Sequence, residues 1–303
     1  MATDGHTTRG EEGFAIPPAF RGGMLDLILG QQGIVTEVDA EPTSAPSITM
    51  DADESTPWST TDGVQVYWTG EGRTITESEL ATQGRTLTVD PLKALLRYTD
   101  ELAADAPRLS SRIQRKVPEK MNWALADAIF RGSGARRPLG FLGHAATIEV
   151  AKESSGNTGN IVAANVKKMY ARQLLRPGAR FKWYANLDTY PYLESLTIGD
   201  EKDRLLVPAP GGGWLLNGLP LEFTELCASV GAPGDLVLAN PRGYYMAMRQ
   251  AVESVQSMHL YFDTGEMAWR WTMRVGGQPK LSAPVTGAHT ATTRGDFIVL
   301  AAR

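Results

Sequence analysis

The sequence predicts an α+β fold, and three patterns carry that prediction. Apolar residues recur at steps of three and four from Leu102 to Ile129, which marks a long amphipathic helix. Apolar and polar residues alternate from Met267 to Val275, which marks a strand with one buried face. Between Phe181 and Leu238, short apolar runs are separated by turn residues, as where helices and strands mix in one domain. The 303 residues amount to one large domain or two ordinary ones. At 42% hydrophobic and 21% charged, the composition excludes global disorder and a coiled coil. No apolar run approaches the ~18 residues of a membrane span. The opening MATDGHTTRGEEG has no basic stretch leading into an apolar one, so no signal peptide is expected. The single cysteine, Cys227, excludes an intrachain disulfide, a paired-cysteine zinc site and a dithiol redox motif.

Taken in order, residues 1–46 are punctuated by Pro17-Pro18, Gly22-Gly23, Pro42 and Pro46 and read as an extended arm. Only Met24 to Leu29 is apolar enough there for a short helix. From Ile48 to Val89 the chain turns to Thr, Ser, Gly and Asp with scattered aromatics. Val64, Val66 and Trp68 alternate with Gln65, Tyr67 and Thr69, and together with Thr86 to Val89 they predict one long β-hairpin or two. Such a segment holds too few core residues to stand alone and calls for a partner surface. Residues 91–131 read as helical, with Leu102, Ala106, Leu109, Ile113, Val117, Met121, Leu125 and Ile129 on one stripe. Pro107 fits a first turn, Pro118 predicts a kink or a break, and Gly132 and Gly134 stop the helix. A second helix is predicted over Ile161 to Leu175 behind Asn160 as N-cap, ending at Pro177-Gly178, and a third over Gly243 to Val252. The strand that follows places Met267, Trp269, Trp271, Met273 and Val275 on one face. Ala268, Arg270, Thr272 and Arg274 fall on the other, basic face. No internal repeat of about 20–50 residues is visible.

The net charge of −4 hides an asymmetry. Residues 1–92 carry 15 acidic residues against four arginines and no lysine, a net of −11, and the remainder carries +7. An acidic third of this kind is either a well-solvated segment or an arm that lies across a basic body, that of another copy included. Complementary charge would then steer association and fix register more than add affinity.

A search for catalytic motifs returns none. No phosphate-binding loop, dinucleotide fingerprint, His-Glu-x-x-His helix or Gly-x-Ser-x-Gly elbow occurs. Gly211-Gly212-Gly213 before Trp214 has the composition of a phosphate loop without its lysine, and reads as a plain hairpin. His6, His144, His259 and His289 lack metal-ligand spacing. Asp51, Asp53 and Glu54 lack the glycine and distal glutamate of a calcium loop and read as a solvated acidic loop. Cys227 reads as a small buried apolar residue. No catalytic residue, cofactor or metal is expected, and the weight moves toward a structural protein.

The order of several short motifs resembles that of a known family. Glu12-Gly13-Phe14-Ala15-Ile16-Pro17-Pro18 is similar to the family's opening Gly-Gly-x-x-x-Pro-Pro, with Glu at the first glycine. Trp68-Thr69-Gly70-Glu71-Gly72 resembles its Trp-x-x-Glu-Gly element with one residue changed. Leu125-Ala126-Asp127-Ala128-Ile129-Phe130-Arg131-Gly132-Ser133-Gly134, then Arg137-Pro138-Leu139-Gly140-Phe141-Leu142, resembles the end of the family's spine helix and its Pro-x-Gly-Ile-Leu. Asn217-Gly218-Leu219-Pro220-Leu221 resembles the Leu-x-Gly-x-Pro-Val turn. Gly234-Asp235-Leu236 with Tyr244 or Tyr245 and Arg249 resembles a Gly-Asp strand followed by a Tyr-x-x-x-Arg helix, and Arg270 and Arg274 fall at an Arg-x-x-x-Arg strand. The family so resembled is the major capsid proteins of tailed bacteriophages, with the fold named after phage HK97, and the resemblance covers roughly residues 11 to 280. Many relatives carry a scaffolding segment ahead of the Gly-Pro-Pro region. Here Met1 lies close upstream, so either the scaffold is a separate protein or the numbering begins after a processing site.

The resemblance implies an HK97-like architecture: an N-terminal arm at 1–46, an extended E-loop at 47–90, a P-domain with the spine helix at 91–143, an A-domain at 144–250, and P-domain return strands at 251–303. It implies a non-enzymatic shell protein that self-assembles into pentamers and hexamers of an icosahedral capsid around double-stranded DNA. The protein would be assembled in the host cytoplasm and located in the virion. Portal and scaffolding proteins are implied as partners, and decoration proteins as further ones; DNA contact would be weak and non-specific, and no membrane is involved. Asp51, Asp53, Glu54, Glu71, Glu77 and Glu79, by charge, and Trp58, Val66 and Trp68, by apolar contact, are the expected intersubunit residues. Relatives that cross-link covalently use an E-loop lysine, and residues 1–92 contain none. An encapsulin-like compartment and a gene transfer agent capsid share the implied fold. From a different class, an α+β hydrolase with an unrecognised motif would be a monomer or small oligomer.

Overall fold

The structure is a computed structural model, and it describes residues 33–60, 62–80, 82–99, 109–153, 160–198 and 201–303. The first elements are α1 (Ile34–Glu37), β1 (Asp39–Pro42), β2 (Ser47–Ala52), β3 (Gln83–Thr88), β4 (Asp90–Thr99), α2 (Leu109–Arg131), β5 (Ile148–Val150), α3 (Ala163–Ala171) and β6 (Lys182–Ala185). There follow α4 (Tyr190–Glu194), β7 (Thr197–Ile198), β8 (Glu201–Arg204), β9 (Leu206–Pro208), β10 (Trp214–Leu216), β11 (Leu219–Phe223) and β12 (Leu236–Ala239). The last are β13 (Tyr244–Tyr261), β14 (Glu266–Pro279), β15 (Val285–Thr286), β16 (Thr293–Arg294) and β17 (Phe297–Leu300).

A four-stranded sheet in the order β1-β13-β14-β4 packs against α2. The stripe read from the sequence does this work: Ile113, Met121, Leu125 and Ile129 are buried together with Trp269, Trp271, Met273 and Val275 of β14. Each fully buried side chain of this size contributes about 1.5–3 kcal/mol relative to exposure. A seven-stranded sheet, β5-β17-β12-β6-β11-β10-β9, has both faces covered. Val237 and Ala239 of β12 face the core that contains α2, whereas Leu236 and Leu238 face a second core with Val166 and Met169 of α3. Phe130 at the end of α2, Phe141 and Phe297 of β17 link helix and sheet, with ring centroids 4.8 and 4.6 Å apart in turn.

The end of α2 is built by the chain doubling back. Gly140 N–H donates to the Gly132 carbonyl at 2.8 Å, Phe141 N–H to Ile129 at 3.0 Å and Leu142 N–H to Phe130 at 3.0 Å, so the last carbonyls of the helix are satisfied by backbone. Gly134, at φ +75, makes the turn that starts the return. The Asn217-Gly218 pair, both at positive φ, turns β10 into β11. Asp296 is buried between Asn240, whose amide donates to it at 2.8 Å, and the ion-paired Arg176; burial pushes its carboxyl pKa up. Asp235 is buried with Arg303 as its ion-pair partner.

Several expectations are corrected. Residues 91–99 are the strand β4, not helix: Leu92, Ala94, Leu96 and Tyr98 alternate toward the core, and β14 supplies the ladder. The stripe positions Leu102 and Ala106 and Pro107 lie outside the described residues, as does the short helix expected at Met24 to Leu29. Helix α2 continues through Pro118 without a break. The helix expected at Gly243 to Val252 is β13. Tyr244 and Met246 face the α2 core while Tyr245 and Ala247 face a small cluster with Leu87 of β3, so burial on both sides hides the period of two. α3 is shorter than expected and is capped at Val162, whose N–H donates to the Asn165 side chain at 3.3 Å, rather than at Asn160. The arm read as plain extended chain contains α1, with Ile34 and Val38 buried in the main core. Within segment 251–303, β14 lies in the four-stranded sheet and β17 in the seven-stranded one.

Candidate assembly surfaces

The pairing of β2 with β3, from Ser47↔Thr88 to Ala52↔Gln83, forms the base of the segment expected as an extended loop. Beyond Ala52 the ladder stops. The alternating stretch 64–69, expected as a half-buried strand, is in no ladder, because among the described residues neither of its faces has a surface to bury against. Val64, Val66 and Trp68 are 65, 87 and 104% exposed, and Ile75 and Leu80 are exposed as well.

The base is anchored by a polar cluster. Glu54 ion-pairs with Arg85 across the two legs and accepts from Ser282 N–H at 2.7 Å, while Arg85 also donates to the Lys280 carbonyl at 2.7 Å. Burial raises the Glu54 pKa, but the Ser282 and Arg85 hydrogen bonds and the Arg85 charge outweigh it and hold the carboxyl below its ordinary range. Trp58, half-exposed, donates its indole N–H to the Thr286 carbonyl at 2.9 Å.

Of the residues expected at intersubunit contacts, Glu54 is therefore engaged within its own chain, and Trp58 is partly so. Asp53 accepts from Ser55 N–H at 2.9 Å and from its hydroxyl at 2.6 Å, which holds its pKa low. Asp51, Val66, Trp68, Glu71, Glu77 and Glu79 face solvent. The carboxylates at 51, 53 and 54 do not converge, and no cluster able to hold a metal occurs among the described residues. Part of the charge complementarity is met inside the chain: Glu37 pairs with Lys182 at 2.9 Å, Asp39 pairs with Lys280, and Glu41 accepts from the Tyr245 hydroxyl at 2.7 Å.

Gly211–Gly213 form the turn between β9 and β10, where Ala209 N–H donates to Gly213 at 3.0 Å. Cys227 is buried, and burial pushes its thiol pKa up. His144 accepts from Ala146 N–H at 3.1 Å, and burial together with the nearby Arg85 charge lowers its pKa. No helix among the described residues is long and apolar enough to cross a membrane.

Sequence reasoning missed a second exposed apolar surface, on β13: Val252, Val255, Met258 and Leu260. Register shifts between Met248 and Tyr261 scramble the period of two that would have marked a strand. The signal that was available is the absence of proline and lysine over residues 249–261.

A family model described as the phage capsid family matches residues 12–288. No curated protein matches the chain. Among solved structures, the capsid of an empty GTA particle is 18% identical over 97% of this chain and 98% of that one, with a TM-score of 0.73. A chain from Mycobacterium phage Cain is 15% identical over 97% and 98%, at 0.66. The asymmetric unit of the bacteriophage PhiM1 mature capsid is 10% identical over 93% and 90%, at 0.57. Likeness at these identities is one of fold, and the α+β fold is a phage capsid fold.

Proposed function

This chain belongs to the phage capsid family and is a capsid shell protein, and we propose that its copies form the pentamers and hexamers of an icosahedral shell enclosing double-stranded DNA. The observation that carries this reading is the segment beyond Ala52 and before Gln83. It is anchored at its base by Glu54 and Arg85, yet it holds Val66 and Trp68 out with none of the described residues of its own chain covering them. A single chain gains nothing from such a projection; a neighbouring copy does. We assign residues 47–90 as the E-loop, with Asp51, Val66, Trp68, Glu71, Glu77 and Glu79 its contacts to that neighbour. The four-stranded sheet with α2 is then the P-domain and the seven-stranded sheet the A-domain. Rings close through heterologous contacts, in which different patches of adjacent copies meet.

Assembly takes place in the host cytoplasm with portal and scaffolding proteins, and decoration proteins are further candidates. Contact with packaged DNA is weak and non-specific. A pI near 5.7 and only three adjacent basic pairs, Arg115-Lys116, Arg136-Arg137 and Lys167-Lys168, give little clustered charge for phosphate binding. Purified particles treated with nuclease and then opened test the reading. Protected double-stranded DNA is expected; particles filled with protein cargo and free of DNA would favour the encapsulin-like alternative.

A further inference from the structure

An open cleft of about 710 Å³ is lined by Thr36 to Ala40 of α1 and β1 together with Arg176 to Ala179, Asn240, Arg242 and Lys280. A smaller cavity of about 360 Å³ shares Thr36, Glu37 and Arg242 with it and adds Arg180 and Lys182. Five cations therefore meet here, none adjacent to another in the sequence. Three of them have acidic partners: Arg176 pairs with Asp296, Lys182 with Glu37 and Glu222, and Lys280 with Asp39. Arg180 and Arg242 are exposed, and their guanidiniums make no ion pair or hydrogen bond with a described residue. The carboxylates that line the cleft, Glu37 and Asp39, go to the lysines and leave both arginine forks open.

A buried polar network holds these two arginines at the cleft. Asn240 and Asp296 are 1 and 2% exposed. The Asn240 amide donates to the Asp296 carboxylate at 2.8 Å, and its side-chain oxygen accepts from Arg180 N–H at 3.1 Å. Asn240 N–H donates to the Asp296 carbonyl, Gly243 N–H to the Asn240 carbonyl and Lys280 N–H to the Gly243 carbonyl, each at 2.8 Å, so the short turn Pro241–Gly243 that carries Arg242 is fixed at both ends. Gly243 packs so closely that a Cβ there would lie 2.6 Å from the Asp296 side chain. Gly178, at φ +81, leaves room for Arg242, whose Nη1 would lie 3.7 Å from a Cβ at that position. Buried polar groups cost stability unless they are satisfied, and when satisfied they fix geometry. Here the geometry they fix is two like charges on one cleft with no acid assigned to either. A guanidinium is a planar fork of donors that matches the oxygens of a phosphate. We infer that the Arg180–Arg242 cleft binds a phosphate group, from a DNA backbone or from a free phosphate compound. For DNA the inference rests on the shell reading above and says where the weak contact with the genome is made.

Free subunits of the full chain test this at low salt with two probes, pyrophosphate and a short DNA duplex. Pyrophosphate is expected to raise the thermal midpoint of the wild type, because a ligand of the folded state stabilises it. Arg180→Gln with Arg242→Gln should lose that shift. It should also bind the duplex several-fold more weakly, with the slope of log affinity against log salt reduced by about 2. Arg73→Gln with Arg270→Gln removes the same charge elsewhere and should keep the midpoint shift. A shift lost only in the Arg180 and Arg242 variant, with duplex binding equal in both, would support the site and assign it to a free phosphate compound. Equal losses in the two double variants, or no shift and no change in duplex binding, would overturn the inference. A cleft variant that binds both probes like the wild type but fails to assemble would overturn it in favour of a carboxylate of a second copy. Neither guanidinium has a partner among the described residues, so the variant should fold as the wild type does. If it does not, Arg180→Lys with Arg242→Lys carries the test: it keeps the charge without the fork, and the pyrophosphate shift should still fall. Absence of shells would strike the shell reading and leave this result standing, since the measurement is made on subunits.

Discussion

Gly132 lies so close to Pro138 that a Cβ there would sit 1.9 Å from the Pro138 carbonyl oxygen, and 2.5 Å from that of Ala128. Both neighbours are backbone and cannot swing aside, because the return of the chain along 139–142 is what caps α2. Gly132→Ala should therefore destabilise the subunit by about 1–3 kcal/mol or more through overpacking. Gly211→Ala, at a position with open space around it, should change stability little. Denaturant unfolding of the two variants checks this, and equal midpoints would contradict the account of the helix end.

The Glu54 cluster gives a pH dependence with a definite sign. Because the folded-state pKa is lowered, the stabilisation is present above the ordinary glutamate range of about 4.3 and is lost as the pH falls through the lower folded value. Exchange or proteolysis at the loop base, around residues 52–58 and 83–88, should rise only on that acid side. In Glu54→Gln the base should already be loose at neutral pH and respond less to acid. A base equally protected in the variant and the wild type at pH 7 would show that the ion pair does not anchor it.

Cys227 should be silent in the native protein. Its thiol is buried and its pKa is pushed up, so thiolate is scarce at neutral pH. Maleimide or disulfide reagents should label it only after unfolding, and stoichiometric labelling of intact subunits would contradict the burial.

Shells should come apart to single chains in SDS. Residues 47–90 contain no lysine to act as an amine nucleophile, and Arg73 and Arg85 stay protonated and cannot replace one. Boiled, reduced particles should give one band near 32.8 kDa. A surviving ladder would show a covalent lock that this loop cannot supply.

The sequence made the core legible where one face of an element is buried and hid it where two are. Trp269, Trp271, Met273 and Val275 alternate on one face of β14, and Ile113, Met121, Leu125 and Ile129 fall on one stripe of α2, so periodicity finds both. β13 is buried on both faces at Tyr244–Ala247 and then bulged, and it carries Met, Ala and Gln repeatedly, which favour helix in isolation. Pairing with β14 overrides that preference. The stretch 64–69 fails in the opposite direction, since alternation without a surface to bury gives no ladder within one chain. Among the expected contact residues, exposure at Val66, Trp68, Glu71, Glu77 and Glu79 was foreseeable from a segment poor in core residues. The engagement of Glu54 was not, because its partners Arg85 and Ser282 are distant in sequence and only folding brings them together.

The central claim is that this chain builds a closed shell, and electron microscopy of the purified full-length protein tests it most directly. The account predicts icosahedral particles with five-fold vertices, together with residues 64–70 of each subunit lying on a neighbour. A protein that stays a monomer or small oligomer under all assembly conditions, with the loop bearing Val66 and Trp68 in solvent, would contradict it.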